Sequence, residues 1–398
     1  MTYLILLLLF PLILITAILM IEVVVGLWTL SPFIGDPQNV SVAIIVPAHD
    51  EEPIIANSLA ALVSVAASDV RILVVADNCS DTTAAIARRM AVEVIERSCP
   101  TEIGKGFALD FAKSHLRAAP PDVVLVIDSD CRTDRDSIRA LIGAAFRSGR
   151  PAQAVNLLEP APSGSPVMQL STFAFLIKNL IRQRALHRLT GQVRLTGTGM
   201  AFPWALFEQA NLATGSIVED LKLGVELAAQ GRGARLIESA RVWSPAAPES
   251  ATIDQRRRWE GGLITTARSV VPLALLSAVR RTDLRALLAA LDLCIPPLAL
   301  LLMLDLAALA AAALLTPVSD ARWWPLAVLA VTLAAAGLAI AVAWMREGRT
   351  FLPPRALARI PFYVLMKLPL YLQLGRGGGP SQWIRTDRAS GSDNSAND

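Results

Sequence analysis

Residues 123–130 read VVLVIDSD, an unbroken apolar run followed by two aspartates, Asp128 and Asp130. Such a run is typical of a strand buried on both faces of a parallel sheet. Similar runs precede it, and each run is followed by an amphipathic stretch of helix length, which indicates βαβ units. The pattern predicts an α/β domain with a mostly parallel sheet. The expected strands are residues 42–46, 71–76, 92–96 and 123–128, and the expected helices are residues 54–66, 82–90, 106–116 and 135–147.

Acidic residues directly follow several of these strands, within residues 47–51, 77–81 and 128–130. In open α/β sheets, ligands bind outside the carboxyl ends of the strands. A dinucleotide-binding domain would carry a glycine-rich turn after its first strand, where this chain has PAHDEE, and the GKG at 104–106 lacks the spacing of a P-loop. The expected ligand is therefore a nucleotide held through carboxylates and a divalent cation.

Asp128 and Asp130 are the expected metal pair, because Mg²⁺ or Mn²⁺ is held by one or two carboxylates plus substrate phosphates. Alternation along a strand would turn both side chains to one side of the sheet. A lone DxD is often only a solvated turn. This one ends a buried strand, which favours the metal site.

The composition indicates a membrane protein. Hydrophobic residues make up 54% of the 398 residues and charged residues 18%, whereas about a quarter of an ordinary soluble protein is charged. The net charge of +3 gives no reason to expect nucleic acid as a partner. The 4 cysteines form no CxxC pair, so they predict neither a zinc site nor a disulfide framework and favour a reducing compartment.

The apolar excess lies at the two ends of the chain. Residues 1–30 are expected to form an uncleaved transmembrane anchor, since the apolar run is too long for a signal peptide and lacks a basic region before it. Residues 287–315 and 323–345 are expected to be two further spans. Residues 355–375 are interrupted by charges and prolines and predict an interfacial helix. The prediction is thus a domain of residues 41–280 with about three transmembrane helices.

Lysine and arginine are absent before the first span and frequent after it. The positive-inside rule then predicts that the N-terminus lies outside and the catalytic domain in the cytoplasm. The expected location is a cell inner membrane, which the chain crosses several times. Asp292 and Asp305 fall within the second expected span; Asp292 is expected to reach the interface, and Asp305 has no assigned role. The polar residues 388–398 predict a disordered tail.

A series of motifs carries a resemblance to a known family. In chain order they are VAIIVPAHDEE (42–52), VVADNCSD (74–81), GKGFALD (104–110), VVLVIDSD (123–130), TGTGMAFPW (196–204), VEDLKLG (218–224) and QRRRW (255–259). This series resembles the family 2 glycosyltransferases, which are inverting enzymes of the GT-A fold. It is most similar to the exopolysaccharide branch of methanolan-type synthesis, and it covers residues 42–259.

The resemblance implies roles for residues on the nucleotide side. Pro47, Ala48 and Glu51 would line the nucleoside pocket. Asp77 would contact the base, usually uracil. Lys105 would lie near the base or the diphosphate of the donor.

The resemblance also implies roles in the transfer itself. Asp128 and Asp130 would be the DxD pair that binds Mg²⁺ or Mn²⁺, with Asp130 the stronger candidate for direct ligation. The remaining catalytic candidates are Glu219 and Asp220, which match the ED of the family's TED motif, and Gln255, Arg258 and Trp259, which match QxxRW.

Inverting transfer needs a base for the acceptor hydroxyl, for which Asp220 is expected, and a cation such as Arg258 beside the leaving diphosphate. Acidic residues are also favoured in the first turn of a helix by its dipole, which is the alternative explanation for Glu219 and Asp220. The QRRRW motif that follows in the expected order favours a catalytic role for this pair. Val218 stands where the family has threonine.

The expected function is transfer of a hexose from a nucleotide-diphosphate sugar, a UDP-sugar by resemblance, to a lipid-linked or glycan acceptor in exopolysaccharide synthesis. One alternative is a processive synthase, which would need an oligomer or polysaccharide-export partners because three helices cannot enclose a sugar-sized pore. Another is an inactive nucleotide-sugar-binding scaffold, which the full set of acidic residues disfavours.

Overall fold

The fold comes from a computed structural model that describes residues 2–33, 39–215, 218–245, 249–318 and 322–376, with backbone alone for 249–259, 318 and 375. The strands are β1 (Val42–Ala48), β2 (Arg71–Asp77), β3 (Glu93–Arg97), β4 (Val123–Val126), β5 (Arg132–Thr133), β6 (Ala152–Leu158), β7 (Met200–Pro203) and β8 (Arg235–Ser244). The helices are α1 (Thr2–Val25), α2 (Ile55–Val65), α3 (Thr83–Ala87), α4 (Lys105–Leu116), α5 (Arg135–Ser148), α6 (Pro166–Leu176), α7 (Arg182–Thr190), α8 (Trp204–Gln209), α9 (Glu219–Ala229), α10 (Glu249–Arg280), α11 (Leu284–Asp292), α12 (Leu298–Val318), α13 (Trp324–Ala343), α14 (Pro354–Leu357), α15 (Ile360–Met366) and α16 (Leu368–Gly375), with π-helical turns at Ile177–Ile181 and Trp344–Gly348.

The described strands form one 8-stranded sheet in the order β3-β2-β1-β4-β7-β6-β8-β5. The half built from β1 to β4 is parallel, as expected. β7 runs antiparallel to both of its neighbours, and β5 runs antiparallel to β8. The α/β class is confirmed, and the sheet as a whole is mixed.

The core of this sheet follows from the apolar strands. All residues of β4 are buried, and so are all residues of β1 except Pro47. The helix α5 begins where the Asp134 carboxylate accepts the Ser137 amide at 2.7 Å, and it ends at Gly149 with a φ of 62°. β4 stops at Val126, two residues before the expected end. The chain then turns, because the Cys131 amide donates to the Asp128 carbonyl at 3.0 Å.

The described chain groups into two compact units. One contains the sheet, with residues 31–159 and 194–262; the other contains residues 1–30, 160–193 and 263–378. Residues 160–193 and 263–280, which the sequence pattern assigns to the catalytic domain, therefore group with the apolar helices. For the first of these segments the composition is consistent with this, since α6 is mostly apolar and most of its residues are buried.

Among the described residues, helices long and apolar enough to cross a membrane are Thr2–Val25, Glu260–Arg280, Leu298–Pro317 and Trp324–Gly348. Glu260–Arg280 was not expected, because its mean hydropathy of 1.6 is well below the 2.5 to 3.2 of the others. The second expected span starts later than residue 287. Pro296 and Pro297 separate α11 from α12, as proline cannot continue a helix.

Buried polar pairs join helices within the unit of apolar helices. Arg182 donates to Glu22 at 2.7 Å and to Asp292 at 2.8 Å, and all three side chains are buried. Asp292 is fully buried, so the expectation that it reaches the interface is wrong: its charge is neutralised by Arg182 instead. Thr16 donates to Asp305 at 2.9 Å, which gives that carboxylate a partner on α1.

Candidate active site

Lys105 lies at the start of α4 and joins two separate parts of the unit that contains the sheet. Its ammonium group pairs with the carboxylate of Asp128 and donates to the carbonyl oxygen of Gly197 at 2.7 Å. The flanking Gly106 is needed for close packing, because a Cβ there would lie 2.4 Å from the Leu212 carbonyl oxygen. The GKG motif therefore brings a cation to the acidic end of β4.

Gly197 marks the point where the TGTG loop approaches the acidic side chains. Its φ is +83°, and a Cβ there would lie 3.5 Å from Oδ2 of Asp220 and 3.7 Å from Nζ of Lys105. Glycine tolerates this left-handed conformation, which strains other residues. The backbone of the loop consequently lies beside both Asp220, the expected general base, and the ammonium group of Lys105.

Glu219 and Asp220 form the first turn of α9, with Val218 as an N-cap that offers no side-chain hydrogen bond. Burial and, after it, the charge of Asp220 raise the pKa of Glu219 to about 8, although Lys105 opposes both effects. Burial alone would lower the pKa of Lys105, but the charges of Asp128, Glu219 and Asp220 outweigh it and hold that pKa above its usual value. The electrostatics thus couple one cation to three acids.

Asp128 and Asp130 fit a divalent cation. Their carboxylate oxygens and the Cys131 thiol lie within 4.8 Å of one another. Burial raises the pKa of Cys131 well above its ordinary value, and the two aspartates raise it further. The thiol therefore stays neutral, which leaves the two carboxylates as the hard oxygen ligands that Mg²⁺ and Mn²⁺ prefer. The turn after β4, and not alternation along the strand, brings them together.

Asp77, at the end of β2, forms a buried ion pair with Arg97 at 2.8 Å. Burial raises the pKa of Asp77 although Arg97 opposes the shift. Arg97 also stacks over the ring of Phe107, 5.3 Å from its centroid. Arg97 is not among the site residues that the sequence pattern predicts, although its position at the end of the neighbouring strand is a signal for it.

The first strand contributes its carboxyl end to the same edge of the sheet. Pro47 and Ala48 pair in register with Val75 and Ala76 of β2. Glu51 follows the strand, and its amide donates to the Thr83 hydroxyl at 2.7 Å. The structure thus brings Pro47, Ala48, Glu51 and Asp77 to adjacent strand ends. The side chains of Gln255, Arg258 and Trp259 lie outside the described residues.

Comparison with known proteins identifies the family. Residues 37–262, more than half of the chain, match the family described as glycosyltransferase like family 2. The chain belongs to glycosyltransferase family 2. It is accordingly a glycosyltransferase, and the expected enzyme class is confirmed. No curated protein sequence matches it.

Solved structures show similarity to this glycosyltransferase in fold. The mannosyltransferase PcManGT from Pyrobaculum calidifontis, in complex with GDP-Man and Mn²⁺, matches over 88% of this chain and 91% of its own, with 19% identity and a TM-score of 0.52. Glucosyl-3-phosphoglycerate synthase from Mycobacterium tuberculosis, in complex with Mn²⁺, UDP and glucosyl-3-phosphoglycerate, matches over 57% of this chain and 80% of its own, with 20% identity and a TM-score of 0.40.

Proposed function

We propose that this glycosyltransferase transfers one hexose, with inversion, from a UDP-sugar to a lipid-linked or polysaccharide acceptor in exopolysaccharide synthesis. The observation that carries the proposal is the arrangement around Lys105, which pairs with Asp128 and donates to the carbonyl of Gly197, the residue that approaches Asp220. A cation, a metal-binding carboxylate and a general base at one point are the groups that such a transfer requires.

Asp220 is the proposed base. The raised pKa of Glu219 means that the two adjacent acids share one proton near neutral pH, which leaves one carboxylate free to accept the proton of the acceptor hydroxyl. Asp220 is assigned that role, because its Oδ1 accepts the Leu221 amide at 2.8 Å and its Oδ2 lies on the side of Gly197, beside Lys105.

The leaving diphosphate is handled by Asp128 and Asp130 with Mg²⁺ or Mn²⁺. When bound, the metal supplies charge stabilisation of the departing diphosphate. The Mn²⁺ and GDP-Man in the P. calidifontis enzyme support this assignment. Lys105 and Arg258 add further positive charge. Asp77, held by Arg97, is proposed to bind the uracil, and Pro47, Ala48 and Glu51 to line the nucleoside pocket.

The membrane part anchors the enzyme. Four candidate spans among the described residues support a multi-pass protein of the inner membrane, with the catalytic unit in the cytoplasm where nucleotide sugars are made. The span at Glu260–Arg280 also favours the second candidate function, a processive synthase. One more helix brings the chain closer to lining a path for a polymer, with export partners or a second copy supplying the rest.

A donor screen tests the proposal. The full chain, in detergent with native lipid extract, is given UDP- and GDP-sugars with Mn²⁺, Mg²⁺ or EDTA, and release of nucleoside diphosphate is measured. We expect metal-dependent release from one UDP-sugar, lost in Asp220→Asn and Asp130→Ala. Product length separates single transfer from polymerisation. Release that persists in EDTA and in Asp220→Asn contradicts the assigned roles. Nucleotide binding without release from any donor would support the scaffold.

A further inference from the structure

A fully buried glutamine in β6 binds the TGTG loop at both ends of its side-chain amide. Oε1 of Gln153 accepts the amide of Thr196 at 3.0 Å, and Nε2 donates to the carbonyl of Thr198 at 2.9 Å. Gln153 belongs to none of the motifs that carry the family resemblance. Burying an amide is costly unless both ends are bonded, so its bonding pattern constrains the loop tightly.

The segment that Gln153 binds contacts three residues of the candidate active site. The hydroxyl of Thr198 accepts the backbone amide of Asp128 at 3.1 Å. The carbonyl of Gly197 accepts Nζ of Lys105 at 2.7 Å, and a Cβ on Gly197 would lie 3.5 Å from Oδ2 of Asp220. A shift of this loop would therefore break its hydrogen bonds to Lys105 and to the backbone of Asp128, and would change its approach to Asp220.

The loop needs such a support because of its own backbone. Gly197 and Gly199 have φ values of +83° and +64°, and glycines lose more conformational freedom on ordering than other residues. Asn156, also in β6, adds a second side-chain bond by donating to the carbonyl of Thr196 at 3.2 Å. Both backbone polar groups of Thr196 are thus bound by side chains of one strand.

We propose that Gln153 is a positioning residue of the transferase. Its side-chain amide fixes residues 196–199 and thereby keeps Lys105, Asp128 and Asp220 at their positions relative to one another. The inference rests on the proposed function for its kinetic effect but not for its structural one. A misplacement of about 1 Å at a reacting group can cost about a hundredfold in rate. Loss of the Gln153 bonds is expected to lower kcat and to leave nucleotide binding in place.

The test compares Gln153→Met, which keeps the length of the side chain and loses both bonds, with Gln153→Glu, which keeps the acceptor for Thr196 and loses the donor for Thr198. The matched control is Gln169→Met. Gln169 is likewise buried, and its Nε2 donates to the carbonyls of Ala161, Pro162 and Gly164 in the other unit. The readouts are kcat and KM for the donor and hydrogen exchange of residues 194–200, all on the full chain in detergent.

We expect kcat to fall between about tenfold and a hundredfold in Gln153→Met. The loss should be at least as large in Gln153→Glu, whose buried carboxylate would face the carbonyl oxygens of Ala154 and Thr198. KM should stay within about threefold of the parent in Gln153→Met. Exchange of residues 194–200 should accelerate in Gln153→Met and not in Gln169→Met. Unchanged exchange and kcat would overturn the proposal. So would equal losses of kcat in Gln153→Met and Gln169→Met. If the parent protein turns over no donor, the proposed function fails, and the exchange comparison alone still decides the role of Gln153.

Discussion

Lys105 and Asp128 form an ion pair in which the ammonium group also donates to the Gly197 carbonyl at 2.7 Å. The lysine thus neutralises a carboxylate that is proposed to bind a metal. Replacing it by methionine removes a positive charge that competes with a metal for Asp128, so the nucleotide-free protein should bind Mn²⁺ more tightly. The value of kcat should fall about tenfold to a hundredfold, because a cation beside the diphosphate is lost. Electron paramagnetic resonance of free Mn²⁺ measures the first effect.

The control is Lys113→Met in the same helix, because Lys113 is also buried and ion-paired, with Asp110. Its Mn²⁺ binding should not change. Weaker Mn²⁺ binding in Lys105→Met would mean that the lysine helps to form the metal site and does not compete for it.

Asp220→Asn and Glu219→Gln form a matched pair that separates the base from its neighbour. Removal of a general base costs about 10²- to 10⁴-fold in rate, and this loss is expected for Asp220→Asn. Because the pKa of Glu219 is raised to about 8, its neutral amide analogue should lose far less at pH 7. Steady-state kinetics with the identified donor give both values. A larger loss in Glu219→Gln would reverse the assignment.

The pH dependence of stability also reports on Glu219. Its pKa is raised from 4.5 to about 8 in the folded protein. Between these values the folded state holds a proton that the unfolded chain has released, so stability should fall as the pH rises through this window. The thermal midpoint, measured from about pH 5 to about pH 8.5, should decline more steeply in the parent than in Glu219→Gln. Parallel curves would show that other groups cause the decline.

Gly199→Ala should cost more stability than Gly231→Ala. Both glycines have positive φ values, +64° and +74°, so both substitutions carry the backbone strain of about 1–3 kcal/mol. At Gly199 the new Cβ would also lie 2.7 Å from the side chain of Val242 and 2.8 Å from that of Ala154. A Cβ added at Gly231 would have no atom within 4 Å. Chemical denaturation measures the difference, and equal losses would rule out the steric contribution.

Arg182→Met should destabilise the unit of apolar helices. The substitution removes the cation that Glu22 and Asp292 share while both carboxylates stay buried. Removing one partner of a buried ion pair lowers the free energy of unfolding by about 3–5 kcal/mol. Thermal unfolding in detergent measures the loss. Arg188→Met is the control, since Arg188 is exposed and donates to backbone carbonyls of Trp28 and Thr29. Adding Glu22→Gln to Arg182→Met should restore part of the stability.

Local patterns were sufficient to predict the parallel half of the sheet and much of the candidate site. Each of the first strands and its following helix lies within a few residues of its expected position. The reason is that a buried strand or helix face requires apolar residues at a regular spacing, which can be seen in a short stretch of sequence. The acidic residues at the strand ends could be found in the same way, since parallel strands bring their carboxyl ends to one edge. The metal pair and the ED pair needed the order of motifs in addition.

Relationships between distant residues could not be predicted. Gly197 lies 92 residues after Lys105 and Gln153 lies 45 residues before Thr198, so their contacts depend on β7 running antiparallel between β4 and β6. The assignment of residues 160–193 to the apolar unit likewise depends on partners such as Glu22 and Asp292. The sequence by itself determined which segments are buried and which ends are acidic, because these follow from local composition. The tertiary structure alone decided which charges face one another and how far a pKa moves, because burial and charge–charge distance are properties of the assembled fold.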